Sequence, residues 1–272
     1  MTSLTDAEFG SFQHFIYAEA GIKLSIAKKT MLCGRLSRRL QAYGLGSFAE
    51  YYRLLESGRH AGEVQMAVDL LTTNETYFFR EPKHFDLLHE VAAHAAASAH
   101  PLRVWSAACS SGEECYSIAM VLADRLGETA WDVIGSDISK RVLQRARSAH
   151  YPLARAKLIP PAYLKRFCLR GTGAQEGTLL IERTLRNRVR LTQINLVRDL
   201  PQIGRFDLIF LRNVLIYFDA DIKREVVERV IAHLKPGGYF CIGHSESLNG
   251  VNDTLEQVAP SIFRKLQQDV SR

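Results

Sequence analysis

Short apolar runs alternate with stretches of helical periodicity between residues 102 and 242, and this alternation restricts the possible fold more than any other feature. Apolar runs without helical spacing lie at 103–108, 131–136 and 206–211. Helical periodicity covers 114–126 and 220–234. We expect Pro236-Gly-Gly238 to end the last helix and 239–242 to form the next strand. Strands that alternate with helices predict a parallel sheet covered on both faces, which is a doubly wound α/β fold.

The loop after the first strand, Ala108-Cys-Ser-Ser-Gly-Glu-Glu114, indicates the kind of ligand. Ligands of doubly wound sheets bind beyond the carboxyl ends of the strands. A dinucleotide site needs G-x-G-x-x-G, but this loop has one glycine, Gly112, followed by two acids. Carboxylates there would repel phosphates and suit a cation. S-adenosylmethionine carries an ammonium, a sulfonium and no phosphate, so the loop favours this methyl donor over NAD.

Asp137 ends the second strand, 25 positions after Gly112. This is close to the spacing at which an acid accepts hydrogen bonds from both ribose hydroxyls. An Asp after a strand also commonly caps a helix. Beside the acidic loop, we favour the ribose role.

Residues 1 to about 90 have a helical pattern with a basic segment. Apolar residues recur at intervals of 4, 4 and 3 from Leu32 to Tyr43, and Gly44 should end that helix. No Asp or Glu occurs between Ala20 and Ala49, although six basic residues do. These are Lys23, Lys28, Lys29, Arg35, Arg38 and Arg39. They are either the solvated flank of a packed helix or a docking surface for an acidic partner, and the missing acids favour docking.

The segment 167–192 interrupts the α/β alternation. Short strand-like pieces are separated by Gly171-Thr-Gly173 and Glu176-Gly177 with no helix between them. We expect a small three-stranded antiparallel unit inserted into the α/β domain.

Composition excludes several classes of protein. The five cysteines are scattered and lack metal-ligand spacing, so we expect no metal site. No apolar run approaches the roughly 18 residues that span a membrane, and the first ten residues do not form a signal peptide. We therefore expect a cytoplasmic monomer without membrane insertion. The net charge of +6 suggests an acidic partner without identifying it.

Four segments resemble the CheR family of chemotaxis receptor methyltransferases. They are LTTNETYFFR at 71–80, VWSAACSSGEECYS at 104–117, FLRNVLIYF at 210–218 and LKPGGYFCIGHSE at 234–246. The similarity extends from about residue 8 to 267. The resemblance implies an N-terminal all-helical domain (1–90) and a Rossmann-like S-adenosylmethionine-binding catalytic domain (91–272). Cys115 departs from the family, which usually has a helix-starting proline there.

The resemblance also implies roles for individual residues. The family's cofactor-binding positions correspond to Asn74, Thr76, Arg80, Glu114, Asp137, Asn195, Leu196, Arg212 and Asn213. Gly171 and Gly173 match the form of the family that docks on a receptor C-terminal peptide. The basic charge of the helix, independently of the resemblance, makes Arg35, Arg38 and Arg39 the candidates for binding the acidic methylation helices of a receptor. The expected reaction forms glutamate methyl esters on methyl-accepting chemotaxis receptors, with S-adenosylhomocysteine as the other product.

The expected chemistry needs orientation more than proton transfer. A glutamate carboxylate is already ionised at pH 7, so no general base is required. Arg80 and Tyr217 are the candidates for orienting that carboxylate. Tyr217 could instead be a buried aromatic residue, and Arg80 could pair with Glu75 or Glu81.

Two other functions remain open. Nucleic-acid methylation would suit the basic segment, although the chain has Arg212-Asn-Val-Leu215 where amino-group methyltransferases place Asn/Asp-Pro-Pro-Tyr/Phe. An inactive cofactor-binding module that only docks on receptors is the second. We expect no nucleic-acid partner.

Overall fold

The computed structural model describes residues 3–127 and 130–267. The helices are α1 (Asp6–Ala20), α2 (Lys29–Tyr43), α3 (Phe48–Glu56), α4 (Ala61–Leu71), α5 (Pro82–Ala97), α6 (Glu113–Leu126), α7 (Lys140–Ser148), α8 (Pro161–Phe167), α9 (Arg183–Arg186) and α10 (Ala220–Ala232). The strands are β1 (Leu102–Ser106), β2 (Trp131–Asp137), β3 (His150–Pro152), β4 (Cys168–Arg170), β5 (Thr178–Ile181), β6 (Val189–Gln193), β7 (Phe206–Leu211), β8 (Leu234–Ile242), β9 (Leu255–Ala259) and β10 (Ile262–Lys265). Short 3-10 helices cover Ile26–Lys28, Leu153–Leu158, Gly173–Gln175 and Leu215–Tyr217.

The main sheet confirms the predicted doubly wound α/β fold. Its strand order is β6-β2-β1-β7-β8-β10-β9. The first five strands are parallel, and β10 pairs antiparallel with both β8 and β9. The chain moves outward from β1 through β2 to β6, then returns to β7 on the other side of β1. This reversal opens a crevice beyond the carboxyl ends of β1 and β7, where such sheets bind ligands.

Helices cover both faces of this sheet. One face packs against α5 and α6 in a core that includes Phe85, Leu88 and Ile118. The other packs against α10 through residues such as Val227 and Val230. Apolar side chains on both faces explain why the parallel strands are almost continuously buried.

A separate helical core is formed by α1 to α4. The predicted helix is confirmed as α2, which buries Leu32, Leu36 and Leu40 and ends at Gly44, whose φ of 62° is left-handed. This core ends at Leu71. Helix α5 instead packs in the core of the α/β unit. The helical core therefore stops before α5, within the segment 1–90 that is predicted to include the helical domain and its linker.

A second, three-stranded antiparallel sheet has the order β3-β5-β4. The predicted antiparallel unit therefore exists, but its predicted limits of 167–192 were wrong. Strand β3 lies before residue 167, and β6, within the predicted segment, pairs in parallel with β2 in the main sheet. Local sequence pattern did not reveal these partners because both pairings join distant parts of the chain.

Strand β8 begins earlier than predicted. Pro236-Gly-Gly238 lies inside β8 and does not end α10, which already stops at Ala232. The pairing of β7 with β8 shifts register between Phe206 and Leu208, so the proline occupies an irregularity. Among the described residues, every helix is too short or too polar to cross a membrane.

Candidate functional site

A cavity of about 320 Å³ lies where the helical unit meets the crevice beyond β1 and β7. This volume is within the range of small-molecule sites. Every predicted cofactor-binding residue lines it, as does Tyr217: Asn74, Thr76, Arg80, Glu114, Asp137, Asn195, Leu196, Arg212 and Asn213. The structure thus brings together residues spread over more than 140 positions of the sequence. Their individual roles stay predictions.

The loop between β1 and α6 is fixed by a glycine at the start of α6 and by hydrogen bonds to two neighbouring segments. Gly112 caps α6 with a φ of 94°, and a Cβ there would lie 2.8 Å from the Cβ of Ala146, so only glycine is accommodated. The Ser110 N–H donates to Asp137 Oδ2 over 2.9 Å, and the Ser110 hydroxyl donates to the Asn74 carbonyl over 2.9 Å. These bonds fix the loop against β2 and against the linker that follows α4.

Asp137 ends β2 with its carboxylate at the cavity wall. Oδ2 accepts the Ser110 N–H and Oδ1 accepts the Ser139 N–H, each over 2.9 Å. Burial raises the pKa of Asp137 to about 6, and Asp69 adds to this, while the two backbone N–H groups oppose it. The cap of α7 is Ser139, so the capping alternative for Asp137 does not hold. Each oxygen keeps acceptor capacity toward the cavity.

The two acids that follow Gly112 point to different surroundings. Glu114 lines the cavity. Glu113 is fully buried and forms an ion pair with Arg155 in the 3-10 helix after β3. One acid therefore faces the ligand, and the other holds the loop against the small sheet.

Arg212 lies at the centre of a buried ion-pair network. The Arg212 side chain is only 2% exposed. Its guanidinium lies 2.8 Å from Glu114 and 3.0 Å from Glu81, and it donates a hydrogen bond to the Arg80 carbonyl. Burial would raise the pKa of Glu81, but Arg212 and the His244 N–H hold it below its ordinary value. Arg212 therefore positions Glu114 and the Arg80 segment as well as lining the cavity.

Sequence reasoning missed Glu81 and Glu246. Glu81 adopts a left-handed φ of 59° directly before Pro82, the first residue of α5. Glu246 accepts the N–H groups of Asn213 over 2.9 Å and Gly243 over 2.6 Å, which shapes the loop after β7. An acid directly before a helix-starting proline and the Gly-His-Ser-Glu246 motif were the available signals.

Arg80 and Tyr217 lie on the cavity wall without strong ion-pair partners. The Arg80 guanidinium donates to the Glu75 carbonyl over 3.1 Å and lies 5.5 Å from the centre of the Tyr77 ring. Its closest approach to Glu81 is 4.0 Å, too long for a hydrogen bond. Tyr217 is half-buried and packs beside the helical core. Arg80 thus contacts Glu75 and forms a long ion pair with Glu81, and Tyr217 packs partly buried, so their orienting roles stay predictions.

The structure supplies partners for two arginines of the predicted basic docking face, whose role in substrate binding stays a prediction. Arg35 donates to the carbonyls of Leu70 over 2.7 Å and Thr72 over 2.9 Å. Arg39 forms a bidentate pair with Glu63 of α4. The compensating acid lies outside the basic segment, so Arg35 and Arg39 hold the helical unit together. Arg38 is exposed and stays a candidate for substrate binding.

Gly171 and Gly173 lie in the connection between β4 and β5 of the small sheet and do not line the cavity. Two arginines of the segment after β5 have contacts elsewhere: Arg188 lies over the Trp131 ring, and Arg190 is 3.6 Å from Asp132. Arg170 of β4 is exposed beside the glycines. The peptide-docking role is untested by these contacts.

The cavity suits the cofactor expected from sequence. Two carboxylates, Glu114 and Asp137, are presented to the ligand, and a buried acid at a strand end matches ribose hydroxyls. The cavity is lined by charges of both signs, with Lys23, Lys28, Arg80 and Arg212 beside the acids, so it can accommodate both the positive groups and the carboxylate of an amino-acid-bearing cofactor.

Comparison with known proteins assigns the two units separately. The family "CheR methyltransferase, all-alpha domain" matches residues 7–72, and "CheR methyltransferase, SAM binding domain" matches residues 74–263. A chemotaxis protein methyltransferase of Escherichia coli (strain K12) is 45% identical over 250 residues, covering 91% of this chain and 86% of that protein. Chemotaxis protein methyltransferase 2 of Pseudomonas aeruginosa is 42% identical over 262 residues, covering 95% and 93%. Among solved structures, the N-methyltransferase NodS of Bradyrhizobium japonicum bound to S-adenosyl-L-homocysteine is similar with a TM-score of 0.39 and 14% identity, covering 72% of this chain and 94% of that one.

Proposed function

We propose, from the premise that this chain belongs to the CheR methyltransferase family, that it methylates glutamate side chains of methyl-accepting chemotaxis receptors. The chain is an S-adenosylmethionine-dependent methyltransferase. The products of the proposed reaction are a glutamate methyl ester and S-adenosylhomocysteine.

The observation that carries the proposal is one cavity that presents two acids and a weakly paired arginine. Glu114 and Asp137 offer negative charge and acceptors to the cofactor, and Arg80 offers a guanidinium to an incoming carboxylate. A carboxylate nucleophile needs orientation and partial charge neutralisation but no base. These residues meet those requirements without a histidine or cysteine at the reacting position.

S-adenosylmethionine, when bound, supplies a methyl group on a positively charged sulfur, which leaves as a neutral thioether. The ribose hydroxyls would donate to the free acceptor sites of Asp137. Arg80 and Tyr217 would hold the substrate carboxylate in line with the methyl group. Alignment of two reactants in this way contributes up to about 7–11 kcal/mol to lowering a barrier. Arg80 also contacts the Glu75 carbonyl and lies 4.0 Å from Glu81, and these competing partners would limit how strongly it binds the substrate carboxylate.

Transfer of a tritiated methyl group onto receptor-containing membranes tests the proposal directly. We expect incorporation that is released as methanol by mild base, because carboxyl methyl esters hydrolyse readily. Receptors in which the methylated glutamates are replaced by alanine are the matched control and should accept no label. Base-stable label, or label on nucleic acid, would contradict receptor esterification, and cofactor binding without any transfer would favour the inactive docking module.

We further propose that the small sheet docks a peptide at the receptor C-terminus. Strand β4 is an outer strand of the order β3-β5-β4, and outer strands can pair with an extended peptide. Leu169 of β4 is 51% exposed, and a shallow groove runs beside it past Arg170 and Gly171. A Cβ on Gly171 would lie 1.9 Å from the Gln175 carbonyl oxygen, so glycine is needed to close this turn. The groove therefore offers an apolar contact and a cation beside the outer strand β4.

Such docking would raise the effective concentration of the enzyme near its substrate without changing the active site. Titration with aromatic-acidic pentapeptides should give saturable binding that Arg170→Glu weakens. Lys165→Glu makes the same charge reversal on α8, outside the groove, and should bind like the wild type. If no such peptide binds at millimolar concentration, the docking proposal is wrong. That result would leave the proposal of receptor methylation standing, because receptors that lack the tail can still be substrates.

A further inference from the structure

Three metal-ligating side chains meet behind the ion-pair network, outside the cavity. Glu81 directly precedes α5, His84 lies in the first turn of α5, and His244 follows β8. One donor atom from each lies within 4.8 Å of the others. His84 Nδ1 is 3.5 Å from Glu81 Oε2, and His244 Nε2 is 3.9 Å from the same oxygen.

His84 is held on one side of its ring by Ser261. The ring is fully buried, and Nε2 lies 2.8 Å from the Ser261 hydroxyl oxygen, which in turn lies 2.6 Å from the Pro260 carbonyl. In the tautomer with Nε2–H, this nitrogen donates to the hydroxyl, and Nδ1 presents a lone pair. Within residues 3–127 and 130–267, Nδ1 has no hydrogen-bond partner. A ring whose outer N–H is held by an oxygen is the usual arrangement of a metal-binding histidine.

Carboxylates outnumber guanidiniums around the cluster, although burial and the Arg212 guanidinium disfavour positive charge on the His84 ring itself. Glu81 and Glu114 share the single guanidinium of Arg212. Glu246, which binds the N–H of Gly243 next to His244, adds a third carboxylate, and Arg80 adds a second guanidinium. One negative charge remains uncompensated in this group. A nitrogen lone pair 3.5 Å from a carboxylate is unfavourable unless a cation or proton lies between them.

We propose that His84 Nδ1, His244 Nε2 and Glu81 bind a divalent transition-metal ion of the Zn²⁺ type, with water completing the coordination. Imidazole and carboxylate donors suit such ions. Tetrahedral ligands at about 2.0–2.1 Å from zinc are about 3.3 Å apart, close to the 3.5 Å between His84 and Glu81. The side chain of His244 is 48% exposed, so its ring can turn to close the longer separation. The bound ion would tie the linker at residue 81 to α5 and to the loop after β8.

Calorimetric titration of the full chain with ZnCl₂, alongside visible spectroscopy with Co²⁺, tests this site without measuring methyl transfer. We expect one ion per chain and an intense Co²⁺ absorption of four-coordinate geometry. Because His84 is buried and its replacement can impair folding, His244→Ala is the test variant, and it should weaken Zn²⁺ binding at least tenfold. His94→Ala removes an exposed histidine of the same helix outside the cluster, and it should bind within about twofold of the wild type.

Ser261→Ala removes the acceptor that orients the His84 ring, and loss of such a partner typically weakens metal binding about 10- to 100-fold. The proposal is overturned if Zn²⁺ at millimolar concentration gives no binding, or if His244→Ala binds as tightly as the wild type. A thiolate-to-Co²⁺ charge-transfer band would also overturn it, because it would assign the ion to cysteines. None of these outcomes bears on the methylation of receptors.

Discussion

Replacement of Asp137 by alanine should weaken cofactor binding without preventing folding. Each carboxylate oxygen accepts one backbone N–H, from Ser110 and from Ser139, and keeps an acceptor site for one ribose hydroxyl. Loss of two hydrogen bonds to a charged acceptor should cost about 2–4 kcal/mol. At 1.4 kcal/mol per factor of ten, the Kd should rise about 30- to 700-fold.

Isothermal titration with S-adenosylmethionine and with S-adenosylhomocysteine measures this effect. Both ligands carry the ribose, so both affinities should fall by the same factor. Asp137→Asn keeps the side-chain volume and the N–H contacts of one oxygen, and it should show most of the loss with less disturbance of the loop. Asp132→Ala is the matched control, because Asp132 lies on the same strand but pairs with Arg103 away from the cavity. Unchanged affinity in a folded Asp137→Ala variant would remove Asp137 from the binding site.

The remaining predictions concern pH, catalysis and stability. Because burial raises the pKa of Asp137 to about 6 and only its ionised form accepts both hydroxyls, cofactor affinity should be constant above about pH 7 and fall by up to about tenfold per unit below pH 6; a flat profile from pH 8 to 5 would contradict this. Arg80→Ala should lower turnover at saturating cofactor more than it lowers cofactor affinity, and Tyr217→Phe should lower turnover less, since the ring remains; a wild-type rate for Arg80→Ala excludes its orienting role. Arg39→Ala leaves the buried carboxylate of Glu63 without its cation and should lower the free energy of unfolding in urea by about 3 kcal/mol, whereas Arg38→Ala should leave it unchanged. Arg38→Glu should slow receptor methylation at low salt, and a rate insensitive to both this change and added salt would exclude electrostatic docking through α2.

The elements that could be predicted are those whose signals are local. The ends of α2 and α6 follow from apolar periodicity and from the glycines at 44 and 127. The loop after β1 and the acid that ends β2 follow from the change between strand and helix patterns. Since parallel strands meet at one sheet edge, these local signals also predict that Glu114 and Asp137 lie at one site, and both line the same cavity. The likeness to the family supplied the more scattered residues, such as Asn74 and Asn195.

Long-range partners were decided only by the tertiary structure. The basic segment seemed unpaired because its acid, Glu63, lies 24 residues from Arg39 on another helix. Glu81 meets Arg212 over 131 positions, and His84 meets Ser261 over 177. The alternation of apolar and polar residues specifies which face of each element is buried, and this determined the doubly wound sheet. This alternation does not specify which charged side chains of different elements pair with each other. Those pairs depend on the packing angle and register of whole helices and strands.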